Sequence, residues 1–205
     1  MLEQFFNPKT IAFIGATDRP KSVGLGICKN LLAGKNQRKI FFVNPNQKNV
    51  LGIKTYPLIT EIKEKIDLAV IAVPAAAVLA VARNCAAKKV GGVIVISSGF
   101  AEIGGQGEKR QKEIAEELAK NNIPLIGPNC LGIIRPANKL NASFAPATPQ
   151  KGKISFVSQS GALIDSIIDR SLGEDFGFAN LISFGNEAGV GLIDFLKFLK
   201  SSFSE

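Results

Sequence analysis

KTIAFIGATDRPKSVGLG, at residues 9–26, is the stretch from which the architecture can be worked out. Residues 9–14 form an apolar run typical of a strand, and this predicted strand ends at Gly15. A helical pattern begins at Gly24, and Ser22 is placed to cap the helix. A glycine-bearing turn between strand and helix lets the backbone approach a phosphate, whose charge is favoured at a helix N-terminus. The spacing is not GxGxxG, so an ordinary strand-to-helix turn is the alternative interpretation.

The same alternation continues along the chain. Further apolar runs at residues 39–43, 67–73, 92–97 and 123–126 each end in Gly, Pro, Asn or Ser. Helical patterns cover residues 24–32, 75–88 and 107–121, with a weaker one at 58–65. Uninterrupted apolar strands are typical of a parallel sheet that is buried on both faces. The sequence therefore predicts an α/β fold, with a Rossmann-type doubly wound parallel sheet over residues 1–135.

The pattern is interrupted and then restarts. Residues 136–152 contain three prolines and little periodicity, which predicts a linker within a wider irregular stretch at 132–153. Strands are predicted at 154–157 and 178–184, and helices at 162–172 and 190–200. Residues 153–205 thus look like the beginning of a second, flavodoxin-like α/β domain. Two strands rarely form a stable sheet alone, so we expect either a chain cut short or a segment that packs on the first domain or on a partner.

Composition excludes several classes of protein. The chain has 205 residues and no histidine, so neither a Ser-His-Asp catalyst nor a histidine metal site can be built from it. Its three cysteines, Cys28, Cys85 and Cys130, form no CxxC pair, which argues against zinc and disulfides. We therefore assign no catalytic residue and no metal ligand within this chain.

Charge and hydropathy indicate which class of binding partner and which cellular compartment to expect. The net charge of +8 is spread along the chain, and there is no Trp and one Tyr, so a stacking surface for nucleic acid is not expected. The basic balance instead suits a polyanionic small ligand. The longest uncharged apolar run, residues 68–82, is broken by Pro74 and is too short to span a membrane. No signal segment opens the chain, and we predict a cytoplasmic protein.

The candidate ligand site lies where the strands end, because open α/β sheets bind ligands beyond the carboxyl ends of their strands. The candidates after the first strand are Gly15, Ala16, Thr17, Arg19, Lys21, Val23 and Gly24. Those after the second are Asn44, Pro45 and Lys48, and Lys48 has a solvated loop lysine as its alternative. Those after the third and fourth are Val73, Pro74, Ser98 and Gly99. Val73 and Pro74 are expected to pack on an adenine or a pantetheine arm.

Two further turns complete the candidate site. After the fifth strand, Asn129 and Cys130 place an amide and a thiol. Without a nearby base or cation, Cys130 is expected to line a pocket rather than to act as a nucleophile. In the second domain, the turn Ser158-Gln159-Ser160-Gly161 offers hydroxyl and amide groups for a phosphate, with a capped helix start as the alternative.

Taken in order, these motifs resemble those of the NDP-forming acyl-CoA synthetases, the family of the ADP-forming acetyl-CoA synthetases, with succinyl-CoA synthetase α as a more distant relative. The resemblance covers almost the whole chain. It is carried by the residue 15–24 loop, Val43-Asn44-Pro45, Leu51-Gly52, Tyr56-Pro57, Val73-Pro74, Ser98-Gly99-Phe100-Ala101-Glu102, Gly127-Pro128-Asn129-Cys130-Leu131-Gly132, Ser158-Gln159-Ser160-Gly161 and Gly185-Asn186. After Gly185-Asn186 the chain departs from the family pattern, which puts a role for that turn in doubt.

The resemblance implies a ligand and a reaction. Coenzyme A or acyl-CoA would bind the first domain, with residues 15–26 around its phosphates and residues 127–130 near its thiol. The turn at 158–161 would help to hold phosphate. The family interconverts acyl-CoA, phosphate and NDP with acid, CoA and NTP, through an acyl phosphate and a phosphohistidine. That histidine and the Mg-ADP or ATP site would belong to missing C-terminal domains or to a β-type ATP-grasp subunit of an oligomeric enzyme. The chain alone would then be inactive.

Other functions stay open on the sequence. A non-catalytic CoA-sensing module fits the missing histidine, and the same module can be fused to a lysine acetyltransferase. An NAD-dependent dehydrogenase is disfavoured, because Asn44-Pro45-Asn46 stands where such a fold usually carries the acid that binds the ribose.

Overall fold

The first sheet of the computed structural model, which describes residues 2–202, has seven strands in the order β3-β4-β2-β1-β5-β6-β7. They are β1 (Thr10–Ile14), β2 (Lys39–Val43), β3 (Asn49–Val50), β4 (Ile53–Tyr56), β5 (Leu68–Ile71), β6 (Gly92–Val95) and β7 (Leu125–Ile126). β1 pairs in parallel with β2 and β5, and the parallel ladder continues through β6 to β7. The predicted Rossmann-type doubly wound sheet is confirmed.

Helices cover both faces of this sheet. They are α1 (Glu3–Phe6), α2 (Val23–Ala33), α3 (Ala75–Lys88) and α4 (Gln106–Lys120). In β1, Ile11 and Phe13 point into one core with α1 and α2, whereas Ala12 and Ile14 point into the other with α3 and α4. Burial on both faces explains why the central strands β5 and β6 carry no polar side chain.

The second sheet has four strands in the order β10-β11-β8-β9 and corrects the predicted linker. They are β8 (Gly132–Arg135), β9 (Leu140–Ser143), β10 (Lys151–Ser158) and β11 (Phe178–Ser183). β8 is antiparallel to both β9 and β11. The expectations of an irregular stretch at 132–153 and of a two-stranded second sheet are therefore wrong. The hairpin forms because Ile133, Leu140 and Ala142 are buried in the core of the first sheet. The division of the chain into domains stays a prediction.

Smaller differences occur elsewhere. The weak helix predicted at 58–65 is only a 3-10 turn, Ile59–Glu61, and the hairpin of β3 and β4 was not predicted. The two remaining helices, α5 (Gly161–Leu172) and α6 (Leu192–Ser202), lie close to their predicted positions. Residues 203–205 of the predicted second domain fall outside the described residues. Within residues 2–202, no helix is long and apolar enough to cross a bilayer.

The second sheet is anchored on the first, which is one of the two arrangements expected from the sequence. Phe195 of α6 is fully buried in the core that α2 shares, and Phe198 stacks on Phe6 with ring centroids 4.7 Å apart. The Asn30 side chain donates hydrogen bonds to the carbonyls of Ser143 and Ala145, both at 2.9 Å. The two sheets thus share one continuous core.

A close backbone approach at the end of β1 gives a testable prediction. Gly15 has φ +103°, and a Cβ there would lie 2.2 Å from the carbonyl oxygen of Ala72. Gly52, in the exposed β3–β4 turn, has φ +77° but nothing within 4 Å of the same position. We expect Gly15→Ala to lower the free energy of unfolding by about 3 kcal/mol or more, and Gly52→Ala by only about 1 kcal/mol. Urea unfolding measures both, and equal losses would contradict the close approach.

Candidate functional site

A continuous cleft lies beyond the carboxyl ends of β1, β2, β5 and β6. Its first groove, about 730 Å³, is bounded by the loop after β1 and the turn after β2. Its second groove, about 790 Å³, lies between the ends of β5 and β6 and the start of α5. Both grooves are lined by Val23, Ala72, Val73 and Pro74, so they join at the end of β5.

The loop after β1 is held by its own hydrogen bonds. The Arg19 N–H donates to Thr17 Oγ1 at 3.2 Å, and the Ser22 hydroxyl donates to the Arg19 carbonyl at 2.7 Å. Ser22 Oγ also accepts from the Leu25 N–H at 3.1 Å, which caps α2 as expected. The loop is therefore a built turn that presents the N-terminus of α2 to the first groove.

Asn44 braces this loop from the neighbouring strand. Its amide donates to the Ala16 carbonyl at 2.7 Å, and its Oδ1 accepts from the Asn46 N–H at 2.8 Å. Gln47 reaches across to donate to Asp18 Oδ1 at 3.0 Å. The polar turn after β2 thus fixes the position of the turn after β1.

Most of the predicted residues line one of the two grooves. In the first groove these are Gly15, Thr17, Arg19, Val23, Gly24, Asn44, Pro45, Val73 and Pro74. In the second they are Ser98, Asn129, Cys130, Gln159, Ser160 and Gly161, with Val23, Val73 and Pro74 again. Five predicted residues lie outside both linings: Ala16, which is buried below the loop, exposed Lys21 and Lys48, and Gly99 and Ser158 beside the second groove.

Sequence reasoning missed several residues of the second groove. Ser97 Oγ donates to the Val73 carbonyl at 2.6 Å and lies 3.0 Å from the Val73 nitrogen, so it joins the ends of β5 and β6. Phe144 comes from the segment after β9, and Asp165 from the second turn of α5. Ser97 had a signal in its position at the end of a predicted strand. Phe144 had none because β9 was not predicted, and Asp165 had none because it lies within a helix.

The turn before α5 is a capped helix start that also borders the second groove. Ser160 Oγ accepts from the Leu163 N–H at 3.2 Å, and Ser158 Oγ accepts from the Ser160 N–H at 3.0 Å. Gly161 packs closely on Leu131, since a Cβ at Gly161 would lie 3.1 Å from that side chain. The helix N-terminus and the side chains of Gln159 and Ser160 consequently form one wall of the groove.

Asn129 connects this wall to the rest of the fold. Its amide donates to Asn186 Oδ1 at 3.2 Å, and Asn186 donates in turn to Glu102 Oε2 at 2.6 Å and to Gln111 Oε1 at 2.9 Å. Burial raises the pKa of Glu102, but hydrogen bonds from Asn186 and from the Gly99 and Phe100 N–H groups outweigh it, so the pKa is lower than usual. The Gly185-Asn186 turn, whose role the sequence left in doubt, ties the two sheets together here.

Cys130 forms part of the groove wall. It is 3% exposed, its thiol donates to the Val95 carbonyl at 3.3 Å, and burial raises its pKa to about 12. A thiol with a pKa this high is protonated at neutral pH and is a poor nucleophile. This agrees with the expectation that Cys130 lines a pocket.

Fold and cleft together define a class: a Rossmann-type α/β protein with a ligand cleft at the carboxyl edge of its sheet. Comparison with known proteins identifies the family within this class. The CoA binding domain family matches residues 9–136, and the succinyl-CoA ligase like flavodoxin domain matches residues 151–203. The chain is 40% identical over 198 residues to acetate–CoA ligase [ADP-forming] I of Archaeoglobus fulgidus, covering 97% of this chain and 29% of that one.

Other relatives agree. The α subunit of acetate–CoA ligase [ADP-forming] II of Pyrococcus furiosus is 40% identical over 97% of this chain and 43% of its own. A Pyrococcus horikoshii structure, PH0766, superposes with a TM-score of 0.94 at 41% identity, over 97% of this chain and 45% of that one. An acetyl-coenzyme A synthetase of Ca. Korarchaeum cryptofilum, in complex with phosphate and ADP, superposes with a TM-score of 0.91 at 35% identity, over 97% and 42%.

The chain belongs to the CoA binding domain family, and the resemblance of its motifs to those of the NDP-forming acyl-CoA synthetases is confirmed. It spans less than half the length of each of these relatives.

The cysteines give a prediction with a pH dependence. Burial raises the pKa of Cys28 to about 11 and that of Cys85 to about 12, in addition to that of Cys130. A raised pKa keeps a thiol protonated, so at pH 8 the native protein should react very slowly with an aromatic disulfide reagent. Reactivity should rise as the pH approaches these pKa values. All three cysteines should react rapidly in urea, and a fast-reacting thiol in the native state would contradict their burial.

Proposed function

We propose that the cleft binds coenzyme A. The nucleotide phosphates would lie against the loop of residues 15–26 in the first groove. The pantetheine arm would pass Val73 and Pro74 into the second groove and bring its thiol toward Asn129 and Cys130. The observation that carries this proposal is the continuity of the two grooves at the end of β5. A long ligand with a bulky head and a thin arm needs such a cleft.

The charge of the first groove supports a phosphorylated ligand. Among the described residues that line it, Arg19 is the only charged one, and none is Asp or Glu. The groove also borders Val23 and Gly24, with which α2 begins, and phosphates are favoured at such a helix N-terminus. The turn after β2 carries Asn44 and Pro45 where an NAD site would carry an acid. These features favour CoA over NAD.

The whole reaction is a further proposal. The complete protein would interconvert acetyl-CoA or another acyl-CoA, phosphate and ADP with the acid, CoA and ATP, as the names of the relatives suggest. The turn at residues 158–161 would hold phosphate during this reaction. Because the chain has no histidine, a phosphohistidine would have to come from outside it, as would the site for Mg-ADP or ATP. We place this enzyme in the cytoplasm.

Two surfaces support the need for further domains or a β-type subunit. Leu163 and Leu172 of α5 and Ile193 and Leu196 of α6 are about half exposed or more. β10 lies at the edge of the second sheet, so one side of this eight-residue strand faces no other strand of the described chain. Exposed apolar side chains beside an open strand edge are typical of a surface that another element covers. An oligomeric complete enzyme would cover them.

The binding proposal gives a direct prediction. In calorimetric titration the purified chain should bind CoA more tightly than dephospho-CoA, because the 3′-phosphate adds charge, and NAD much more weakly. The same preparation should not turn over acetyl-CoA, phosphate and ADP. Comparable binding of NAD, or no binding of CoA, would overturn the ligand assignment. Turnover by the chain alone would overturn the assignment of catalysis to other domains, whereas CoA binding by a complete chain without synthetase activity would favour a sensing module.

The two cations of the loop provide a matched pair of variants. Both are exposed, but Arg19 lines the first groove and Lys21 lies outside the lining. We expect Arg19→Glu to weaken CoA binding by about 1–3 kcal/mol, since it replaces a charge-assisted phosphate contact with a repulsion. Lys21→Glu should have a smaller effect that diminishes at high salt. Equal effects, measured by calorimetry at two salt concentrations, would assign both cations to the phosphate site.

A further inference from the structure

The second groove contains one carboxylate that the fold itself does not satisfy. Asp165 lies on α5, one turn after Gly161, and is the only acidic residue among the described residues that line this groove. Its Oδ1 atom is shielded from solvent and has no hydrogen-bond partner within residues 2–202. A buried carboxylate oxygen without a donor is costly, so Asp165 favours any ligand that brings an N–H or O–H group to it.

The surroundings of Asp165 strengthen this preference. The same groove is lined by the apolar side chains of Val23, Pro74, Leu131 and Phe144. Contact with apolar side chains lowers the local dielectric constant around a bound ligand, which strengthens a hydrogen bond to a charged acceptor. The same conditions strengthen the repulsion between Asp165 and a phosphate that lies against its carboxylate rather than at the turn of residues 158–161.

The two halves of CoA differ in chemistry, and each half suits a different groove. At neutral pH its phosphates are anionic and only accept hydrogen bonds, whereas its pantetheine arm carries amide N–H groups and a hydroxyl that donate. Among the residues that the structure describes, Arg19 is the only charged side chain that lines the first groove, and Asp165 is the only one that lines the second. The carboxylate therefore suits the arm and opposes the phosphates.

We infer that Asp165 accepts a hydrogen bond from an amide N–H group of the pantetheine arm and thereby sets the direction in which CoA lies in the cleft. This inference rests on the proposed function, because it assumes that CoA occupies both grooves. Asp165 is a specificity-determining residue on this account: it distinguishes ligands with a donor-bearing arm from nucleotides that lack one.

The test compares CoA with 3′-phosphoadenosine 5′-diphosphate, which keeps the phosphates and lacks the arm. Asp165→Ala should weaken binding of CoA about 10-fold or more, the loss typical of a hydrogen bond to a charged group. It should leave the affinity for the arm-less nucleotide unchanged. Asp165→Asn keeps an acceptor oxygen and should recover part of the CoA affinity. Asp169→Ala is the matched control, since Asp169 is exposed one turn further along α5 and does not line the groove.

Each outcome decides the inference. An unchanged affinity of Asp165→Ala for CoA, or an equal loss for both ligands, overturns it. If the wild-type chain binds CoA and Asp165→Ala binds it equally well, the proposed function survives and the role inferred for Asp165 does not. If the wild-type chain binds neither ligand, the proposed function fails and the inference with it. Thermal unfolding of Asp165→Ala should show no loss of stability, because the carboxylate removed makes no hydrogen bond through Oδ1.

Discussion

The close approach of the ends of β1 and β5 is the constraint on which the cleft depends. The Gly15 N–H donates to the Val43 carbonyl at 3.0 Å, and the Ala72 N–H donates to the Ile14 carbonyl at 2.9 Å. These bonds hold the ends of β1, β2 and β5 side by side. The chain can turn at Gly15 only because no side chain stands between it and Ala72. The loop after β1 therefore lies beside the turn after β5, and Val73 becomes part of both grooves. A side chain at residue 15 would push the turns after β1 and β5 apart and would separate the grooves.

The second sheet completes the cleft rather than forming a separate body. The Asn186 N–H donates to the Pro128 carbonyl at 2.9 Å, and the Ala188 N–H donates to the Gly127 carbonyl at 3.0 Å. These bonds place the turn after β11 against the turn after β7, and α5 then faces the ends of β5 and β6. A ligand in the second groove would contact both sheets at once, so its binding would couple the orientation of the second sheet to the first. The shared core around Phe195 makes this junction rigid.

The sequence predicted best what depends on local pattern. β1, β2, β5 and β6 were found because burial on both faces leaves long apolar runs, and the loop residues because Gly and Pro mark strand ends. The β8–β9 hairpin was missed since its partner, β11, lies some 40 residues further along the chain. Charge alone did not tell which way a loop lysine points, so Lys21 was treated like Arg19. Asp165 could not be found by a rule about strand ends, because it enters the groove from within a helix.

The distribution of charge along the cleft follows from these same elements. Arg19 is carried by a loop that its own hydrogen bonds hold, and Asp165 by a helix whose start faces the ends of β5 and β6 across the second groove. The first groove therefore carries a positive side chain and the second a negative one. Between them, the walls at Val73, Pro74 and the protonated thiol of Cys130 carry no charge. A cleft of this kind can orient an asymmetric ligand before any catalytic group is present, because the wrong direction would place phosphates against the carboxylate of Asp165.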